Sequence, residues 1–336
     1  MSNILCSTFL GHSITTTSEQ APPLDWIQEY LSPFFQHHWQ EKRLTPHLEI
    51  VPVNLEDLAP DKLSGKDATV VKGFLGRSLY QWLDSNGSHW LDPGRCWIRR
   101  QEDFVVGIDP NVEEAVFEPA RLLREIVIQK MLAEGAIKLK GNVVVTRNGR
   151  GILILGDKGS GKTIVTINEL LAGGAFVGNS RVLVKCNSRM VEGLGLPITI
   201  RIGEDTIKAI AGLAQWYSGY PESSQLKIAG YDEQVGIKKI ELTPKELAFA
   251  LSVRIVPSAI LEEVWYLTRE TGESRFKTLQ KSLINTDPAF PAFWLNTEDV
   301  LPVDTTETQE KLLALPWTRI DPDEVLKSFR HKFQMC

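Results

Sequence analysis

The chain has 336 residues, of which 24% are charged and 43% are apolar, and its formal net charge is −5 at pH 7. This composition is that of a globular protein with enough length for two domains. The negative balance argues against nucleic acid as a partner. No apolar run approaches the roughly 20 residues that span a bilayer, so we expect no membrane association either.

The cysteines and the N-terminus indicate the compartment. The four cysteines form no CxxC or Cys/His pattern, which argues against a disulfide framework and a zinc site. They lie far apart, at Cys6, Cys96, Cys186 and Cys336. The N-terminus lacks a basic segment followed by an apolar core, so we expect no signal peptide. These features predict a reducing cytoplasm, which also supplies ATP.

The first third of the chain predicts a small β-rich domain. Residues 1–23 are rich in Ser, Thr and small residues and predict a flexible leader or an edge strand. Residues 24–115 predict an α+β domain built on tryptophan packing, which begins with Trp26, Tyr30 and Phe34 at helical spacing. Its predicted strands cover 49–54, 68–74, 88–91, 95–100 and 103–108.

An amphipathic helix predicted over 118–132 opens the next domain, which we place at 116–270. Two short strands are predicted after it, at 136–139 and 142–146. The Asn148–Gly149 pair predicts a hairpin turn between the second of these strands and a third.

That third strand, at 151–155, leads into a loop of the form G-x-x-x-x-G-K-[ST], which is typical of phosphate-binding loops. Glycines permit a tight turn whose backbone N–H groups face inward, and the following helix points its positive end at the same place. Lys162 can reach the outer phosphates, and the Thr163 hydroxyl can bind Mg²⁺. The predicted nucleotide-binding residues are Gly156, Asp157, Lys158, Gly159, Ser160, Gly161, Lys162 and Thr163.

A glycine-rich turn without a ligand is the alternative explanation of this loop, but it gives Lys162 and Thr163 no reason to stand together. We therefore expect a nucleoside triphosphate as ligand, and the loop does not distinguish ATP from GTP. Beyond its helix, Gly173–Gly174 interrupts the chain, and two strands are predicted around the polar tip Asn179–Ser180.

The remaining elements follow in order. Thr243 and Glu246 are spaced as in a capping box and predict the start of a helix. Residues 271–336 contain polar runs and scattered prolines and predict a C-terminal extension with short helices. The other predicted elements are strands at 198–202, 238–242 and 253–257, a strand or helix at 262–268 and a helix at 204–216.

This order of elements resembles that of the HPr kinase/phosphorylase-like group, whose nucleotide-binding core is related to phosphoenolpyruvate carboxykinase. The resemblance is carried by Arg121–Val145, Gly151–Thr163, Gly174–Val184, Glu192–Ile202 and Lys238–Tyr266. Within the group, the chain is more similar to divergent kinases that act outside sugar regulation. The resemblance implies an α/β fold, with a P-loop nucleotide-binding core of this type and a smaller N-terminal β-rich domain.

The resemblance also implies a reaction. Such enzymes transfer the γ-phosphoryl group of ATP to a hydroxyl, often a serine, and the acceptor here would be a protein, a peptide or a small metabolite. The transfer needs a phosphate cradle, Mg²⁺ and a carboxylate that takes the hydroxyl proton. The phosphate-binding residues of the family correspond here to Gly156, Gly159, Gly161, Lys162 and Thr163.

The chain departs from the family pattern outside the cradle. Asn179–Ser180 stands where the family has Asp–Asp; the Asn179 carbonyl oxygen can bind Mg²⁺, but neither side chain is a good base at pH 7. Lys140 stands where the family has a histidine, and Lys140 or Arg181 can face the developing charge. Glu192–Gly193 replaces an Arg–Gly pair. The predicted catalytic residues are Lys162, Asn179, Ser180 and Lys140, with Thr163 and Asn179 as Mg²⁺ ligands.

Two interpretations of function stay open. The first is a phosphotransferase with an altered active site, in which Asp157, Glu192, Asp232 or Glu233 replaces the lost base. The second is a regulatory or scaffold protein that binds nucleotide without efficient transfer, a pseudokinase. A motor-type or signalling NTPase is disfavoured because no apolar strand downstream ends in Asp. The oligomeric state is open, and a homo-oligomer is one alternative.

Overall fold

The computed structural model of the chain is mixed α/β with several sheets. It describes residues 3–19, 22–40, 47–54, 56, 68–72, 78–93, 96–109, 112, 117–187, 189–219, 228–232, 237–269, 274–284 and 304–333. These residues fall into two compact units, the first extending to Glu134 and the second containing 135–284 and the residues from Asp304 onward. The boundary therefore lies after the helix at 117–133, whereas the sequence predicts it before that helix.

The first unit is built on one long sheet. Its helices are α1 (Pro22–Leu31) and α2 (Phe117–Ala133). Its strands are β1 (Asn3–Phe9), β2 (His12–Ser18), β3 (Gln36–Trp39), β4 (Leu48–Pro52), β5 (Thr69–Lys72), β6 (Ser78–Asp84), β7 (Gly87–Asp92), β8 (Cys96–Arg100) and β9 (Phe104–Ile108). Their order in the sheet is β3-β1-β2-β4-β9-β8-β7-β6-β5.

The N-terminal segment is part of this sheet. β1 and β2 form an antiparallel hairpin, with Asn3 opposite Ser18 and Phe9 opposite His12. Leu5 and Ile14 in the hairpin are fully buried. Residues 3–18 are thus a paired hairpin rather than a loose leader or an edge strand, because the apolar side chains of both strands are buried and both strands lie inside the sheet.

The second unit carries the predicted nucleotide site. Its helices are α3 (Lys162–Leu171), α4 (Glu204–Ala209), α5 (Ala211–Ser218), α6 (Pro244–Leu251), α7 (Arg275–Ser282), α8 (Thr306–Ala314) and α9 (Pro322–Phe333). Its strands are β10 (Ile137–Leu139), β11 (Asn142–Val145), β12 (Gly151–Gly156), β13 (Ala175–Gly178), β14 (Val182–Cys186), β15 (Val191–Leu194), β16 (Ile200–Gly203), β17 (Ile228–Asp232), β18 (Ile237–Leu242), β19 (Arg254–Ile255), β20 (Ser258–Leu267) and β21 (Trp317–Ile320).

The large sheet of this unit has the order β10-β14-β15-β20-β12-β11-β13-β19, and β21 also pairs with β20. A smaller sheet contains β16, β18 and β17. The helix predicted over 204–216 is interrupted at Ile210, whose backbone is extended, so it becomes α4 and α5. The capping box at Thr243 and Glu246 is present at the start of α6 and confirms the prediction.

The C-terminal segment belongs to the core of the second unit. β21 runs parallel to β20, with Trp317 opposite Val264 and Ile320 opposite Leu267. Trp317 packs in the same apolar cluster as residues of β11, β12 and β14. The segment predicted as an extension therefore completes the central sheet.

Strand direction places one edge of the sheet at the predicted site. β12 is parallel to β20. β11 is antiparallel to both β12 and β13, so β12 and β13 run in the same direction. The carboxyl ends of β12, β13, β20 and β21 thus share one edge, where α/β proteins commonly bind ligands. Among the described residues, no helix is both long and apolar enough to cross a membrane.

Candidate functional site

The loop after β12 turns on glycines that adopt backbone angles unfavourable for other residues. Gly156, Gly159 and Gly161 have φ angles of 147°, 82° and 88°. A Cβ atom on Gly156 would lie 2.6 Å from the carbonyl oxygen of Leu267 and 2.7 Å from Ser160 Oγ. Glycine at 156 is therefore required both by its backbone conformation and by the close approach of β20.

Helix α3 begins directly at the end of this loop. Its buried face, which includes Val165, packs on Val144 of β11 and on Ile152 and Ile154 of β12. The first backbone bond of the helix runs from the Val165 N–H to the Gly161 carbonyl, so the preceding N–H groups have no intrahelical acceptor. These groups, together with the helix dipole, produce a positive potential at the loop.

The Lys162 side chain folds back over the loop. Its ammonium donates to the carbonyl oxygens of Gly156 and Asp157 at 2.6 and 2.7 Å. The pKa of Lys162 is lowered to about 8, chiefly by burial and then by the Lys140 charge, while Asp157 acts in the opposite direction. Lys140 is exposed, and its backbone N–H donates to the Ser282 carbonyl at 2.7 Å. The two predicted lysines are therefore near enough for the charge of Lys140 to lower the pKa of Lys162.

Ser160 is the buried polar residue of the loop. Its side chain is 5% exposed, and Oγ has no hydrogen-bond partner among the described residues. A buried hydroxyl without a partner is costly, which favours a ligand or water at this point. The predicted loop residues Asp157, Lys158 and Gly159 are exposed, and Thr163 is half-buried.

Asn179 and Ser180 follow β13 on the same edge of the sheet. Asn179 is 2% exposed and donates through Nδ2 to Ser180 Oγ at 2.9 Å. Ser180 has a φ of 64°, in the left-handed region. The bond to Ser180 uses Nδ2, and Oδ1 is the atom of the Asn179 amide whose chemistry suits a cation.

A residue that the sequence analysis missed connects these two loops. Asn142, the first residue of β11, is 1% exposed and accepts from the Ser180 N–H at 3.0 Å. Its Nδ2 donates to Thr166 Oγ1 at 2.8 Å, and Thr166 Oγ1 donates to the Lys162 carbonyl at 3.0 Å. The only signal in the sequence is a polar residue at the start of an otherwise apolar strand.

The acids that were candidates to replace the lost base lie at different distances from the loop. Glu192 of β15 pairs with Ile260, near the start of β20. Gly156, at the end of β12, pairs with Leu267, at the other end of β20 and seven residues beyond Ile260. At about 3.3 Å per residue this is roughly 23 Å along β20, so the proposal of Glu192 as base is wrong. Asp157 lies in the loop itself. Asp232 ends β17, but its side chain and Glu233 lie outside the described residues.

The C-terminal helix also reaches the loop. Leu326 Cδ2 of α9 and Leu267 Cδ2 of β20 each lie 3.9 Å from the position of a Cβ on Gly161. Near this point, Arg269 Nε and Nη2 donate to the two carboxylate oxygens of Asp323 at 3.0 and 2.8 Å. The sequence analysis missed this contribution because the pattern of the tail is weak.

Comparisons with known proteins give structural similarity that is distant. No protein-family model matches the chain, and no curated protein matches it in sequence. Among solved structures, the chain is similar to the HPr(Ser) kinase/phosphatase from Coxiella burnetii, with 14% sequence identity and a TM-score of 0.24. The match covers 41% of this chain and 69% of that protein. A TM-score of 0.24 is too low to assign a function.

Proposed function

We propose that this chain binds a nucleoside triphosphate in the loop from Gly156 to Thr163 and acts as a phosphotransferase. The proposal rests on one observation: the Lys162 ammonium, with the Lys140 charge near enough to act on it, lies over a glycine loop that ends at the N-terminus of α3. Among the described residues, no carboxylate forms an ion pair with Lys140 or Lys162. Such an excess of positive charge at a helix N-terminus fits a polyanion. On this proposal the second unit is a P-loop core of the HPr kinase/phosphoenolpyruvate carboxykinase-like type.

Each loop residue has a role in this proposal. The N–H groups of the loop and Lys162 would hold the β- and γ-phosphates, and the buried Ser160 hydroxyl would donate to a phosphate oxygen. Lys140, with Arg181 as the alternative, would stabilise the charge that develops on the transferred group. The protein would work where ATP is available, in the cytoplasm.

The side chains at this edge of the sheet suit Mg²⁺ only when phosphate oxygens complete the ligand set. The Thr163 hydroxyl and Asn179 Oδ1 are neutral oxygens at the same edge of the sheet, and Mg²⁺ accepts oxygen ligands. With no carboxylate among them, they fit an ion that arrives with the nucleotide phosphates rather than one held by the protein alone. Bound Mg²⁺ would neutralise phosphate charge, and Thr163 and Asn179 would orient it.

The acceptor is proposed to be a hydroxyl of a protein, a peptide or a small metabolite. Its proton needs a base, and the only candidate placed at the loop among the described residues is Asp157. Loss of a general base typically lowers the rate by a factor of about 10² to 10⁴. The proposed enzyme is therefore slow unless Asp157 or the acceptor itself supplies that base.

A second function is supported by one specific observation. The Asn179 amide and the Ser180 hydroxyl are hydrogen-bonded to each other at the positions where the family pattern has acids. This arrangement supports a regulatory or scaffold protein that binds nucleotide without transferring phosphate efficiently.

Calorimetry with ATP and Mg²⁺ tests the binding proposal. The wild-type protein is expected to bind, and Lys162→Ala is expected to weaken binding at least tenfold, since a charged hydrogen bond contributes about 1.5–3 kcal/mol. Lys245→Ala, which removes an exposed lysine of α6, is the matched control. Absence of heat with both ATP and GTP would refute nucleotide binding.

Labelled ATP separates the two functions. Incubation with Mg²⁺ and a cell extract is expected to label an acceptor, and Lys162→Ala is expected to abolish the label. If the protein binds nucleotide but labels nothing, the regulatory function is supported and the phosphotransferase is not.

A further inference from the structure

Asn142 occupies a position where a buried amide contacts both sides of the site. It is the first residue of β11, and the next three residues of that strand are valines. Its Oδ1 accepts from the Ser180 N–H, and its Nδ2 donates to Thr166 Oγ1. Both amide atoms are thus used, each by a different segment of the chain.

These contacts link the two loops of the site. Thr166 lies one turn into α3 and returns its hydroxyl to the carbonyl of Lys162, the residue that begins the helix. Ser180 lies in the turn after β13, and its side chain accepts from Asn179. A continuous chain of hydrogen bonds therefore runs from Lys162 through Thr166 and Asn142 to the Asn179–Ser180 turn.

The turn depends on this connection for its conformation. Ser180 has a left-handed backbone, which a non-glycine residue adopts only at a cost. The bond from its N–H to Asn142 Oδ1 offsets part of that cost. An apolar residue at 142 would suit the strand equally well but would leave the Ser180 N–H and the Thr166 hydroxyl without these partners. Packing alone therefore does not explain an amide at this position.

We infer that Asn142 is a positioning residue that sets the place of Asn179 Oδ1 relative to Lys162 and Thr163. The inference rests on the proposed function, because Asn179 and Thr163 are the proposed Mg²⁺ ligands. Asn142 would touch neither nucleotide nor metal, and it would act through the Asn179–Ser180 turn that it holds in place. Its loss is expected to affect the contribution of Mg²⁺ to nucleotide binding more than the binding of phosphate itself.

The test is the ratio of ATP affinity in Mg²⁺ to ATP affinity in EDTA, measured by calorimetry on the full chain. For Asn142→Ala, this ratio is expected to fall roughly five- to tenfold, since one buried hydrogen bond contributes about 1 kcal/mol. The affinity in EDTA is expected to stay within about twofold, because the loop N–H groups and Lys162 remain.

Two further variants make the result specific. Asn142→Asp keeps the acceptor for the Ser180 N–H and is expected to restore the ratio to within about twofold of wild type, although the added charge lowers the affinity in EDTA. Thr166→Val keeps the shape of the side chain but breaks the link to Lys162, and a smaller fall in the ratio is expected. It also provides the measurement if Asn142→Ala does not fold.

The outcomes separate this inference from the proposed function. Equal loss of affinity in Mg²⁺ and in EDTA would show a purely structural role and overturn the inference, as would an unchanged ratio in both Asn142→Ala and Thr166→Val. In either case nucleotide binding by the wild type would still stand. If the wild type binds no nucleotide in either buffer, the proposed function fails and the inference fails with it.

Discussion

The ammonium nitrogen of Lys162 lies 2.6 Å from the carbonyl oxygen of Gly156, six residues earlier in the chain. The lysine therefore closes the loop upon itself with two of its three N–H donors, and the third remains for a phosphate that enters the loop.

Nucleotide affinity is expected to decrease as the pH rises through about 8. The pKa of Lys162 is lowered to about 8 in the free protein, so below this value the ammonium is charged and available to phosphate. Above it, binding requires uptake of a proton, and affinity falls up to tenfold per pH unit until the pKa of the bound state is reached. Calorimetry between pH 7 and 9.5 measures this slope. Lys162→Ala is expected to show a weak, flat profile, and a wild-type affinity that is constant to pH 9.5 would contradict the assignment.

Lys162→Met is expected to raise the free energy of unfolding at pH 7 by about 1–2 kcal/mol. The lowered pKa means that the folded state penalises the charged lysine, by up to about 3 kcal/mol. Loss of the bonds to the Gly156 and Asp157 carbonyls offsets part of this gain. Between pH 8 and 10.5 the unfolded wild-type chain binds more protons than the folded one, so wild-type stability rises with pH. The difference in stability between the Met variant and wild type therefore shrinks over this range. Urea unfolding at pH 7 and 10 checks this, and a less stable Met variant at pH 7 would contradict it.

Gly156→Ala is expected to cost about 2–4 kcal/mol of stability and to abolish nucleotide binding, because the new Cβ meets the Leu267 carbonyl in a backbone conformation with positive φ. Gly149→Ala is the matched control. Gly149 also has a positive φ, 83°, but a Cβ there would meet nothing within 4 Å. Its expected cost is about 1 kcal/mol, with binding intact. Similar losses in the two variants would mean that contact with β20 is unimportant.

Asn179→Asp is expected to make stability depend on Mg²⁺. A carboxylate at this 2% exposed position costs about 1–3 kcal/mol without a counter-ion. Mg²⁺ should restore the lost stability. When Asn179→Asp is combined with Ser180→Asp, the double variant should show higher metal affinity or turnover than wild type. Thermal unfolding in EDTA and in Mg²⁺ measures this, with Asn187→Asp on an exposed turn as control. A variant that responds to Mg²⁺ no more than wild type would place the metal elsewhere.

Local sequence patterns predict the loop because its requirements are local. The glycines at 156, 159 and 161, the apolar strand before them and the helix after them all lie within about 20 residues, the range over which periodicity and turn chemistry act. The structure has the strand, turn and helix in that order. The Thr243 capping box was predictable for the same reason.

Long-range pairing accounts for what the sequence analysis missed. Glu192 was a candidate base by its place in the sequence, but strand register puts it far from the loop. Asn142 acquires its role only when Thr166 and Ser180 reach it from two other segments. β21 is a short strand whose partner lies some 50 residues earlier, so no local pattern identifies it as part of the sheet.

The position of β21 bears on how the protein emerges from the ribosome. β12 and β20 are synthesised well before Trp317–Ile320, yet the last four residues of β20, Val264–Leu267, gain a neighbour on their second side only when β21 becomes available. Until then this part of β20 exposes unpaired backbone groups that recruit other strands. Nascent chains stalled before this segment should therefore depend on chaperones more than chains stalled after it.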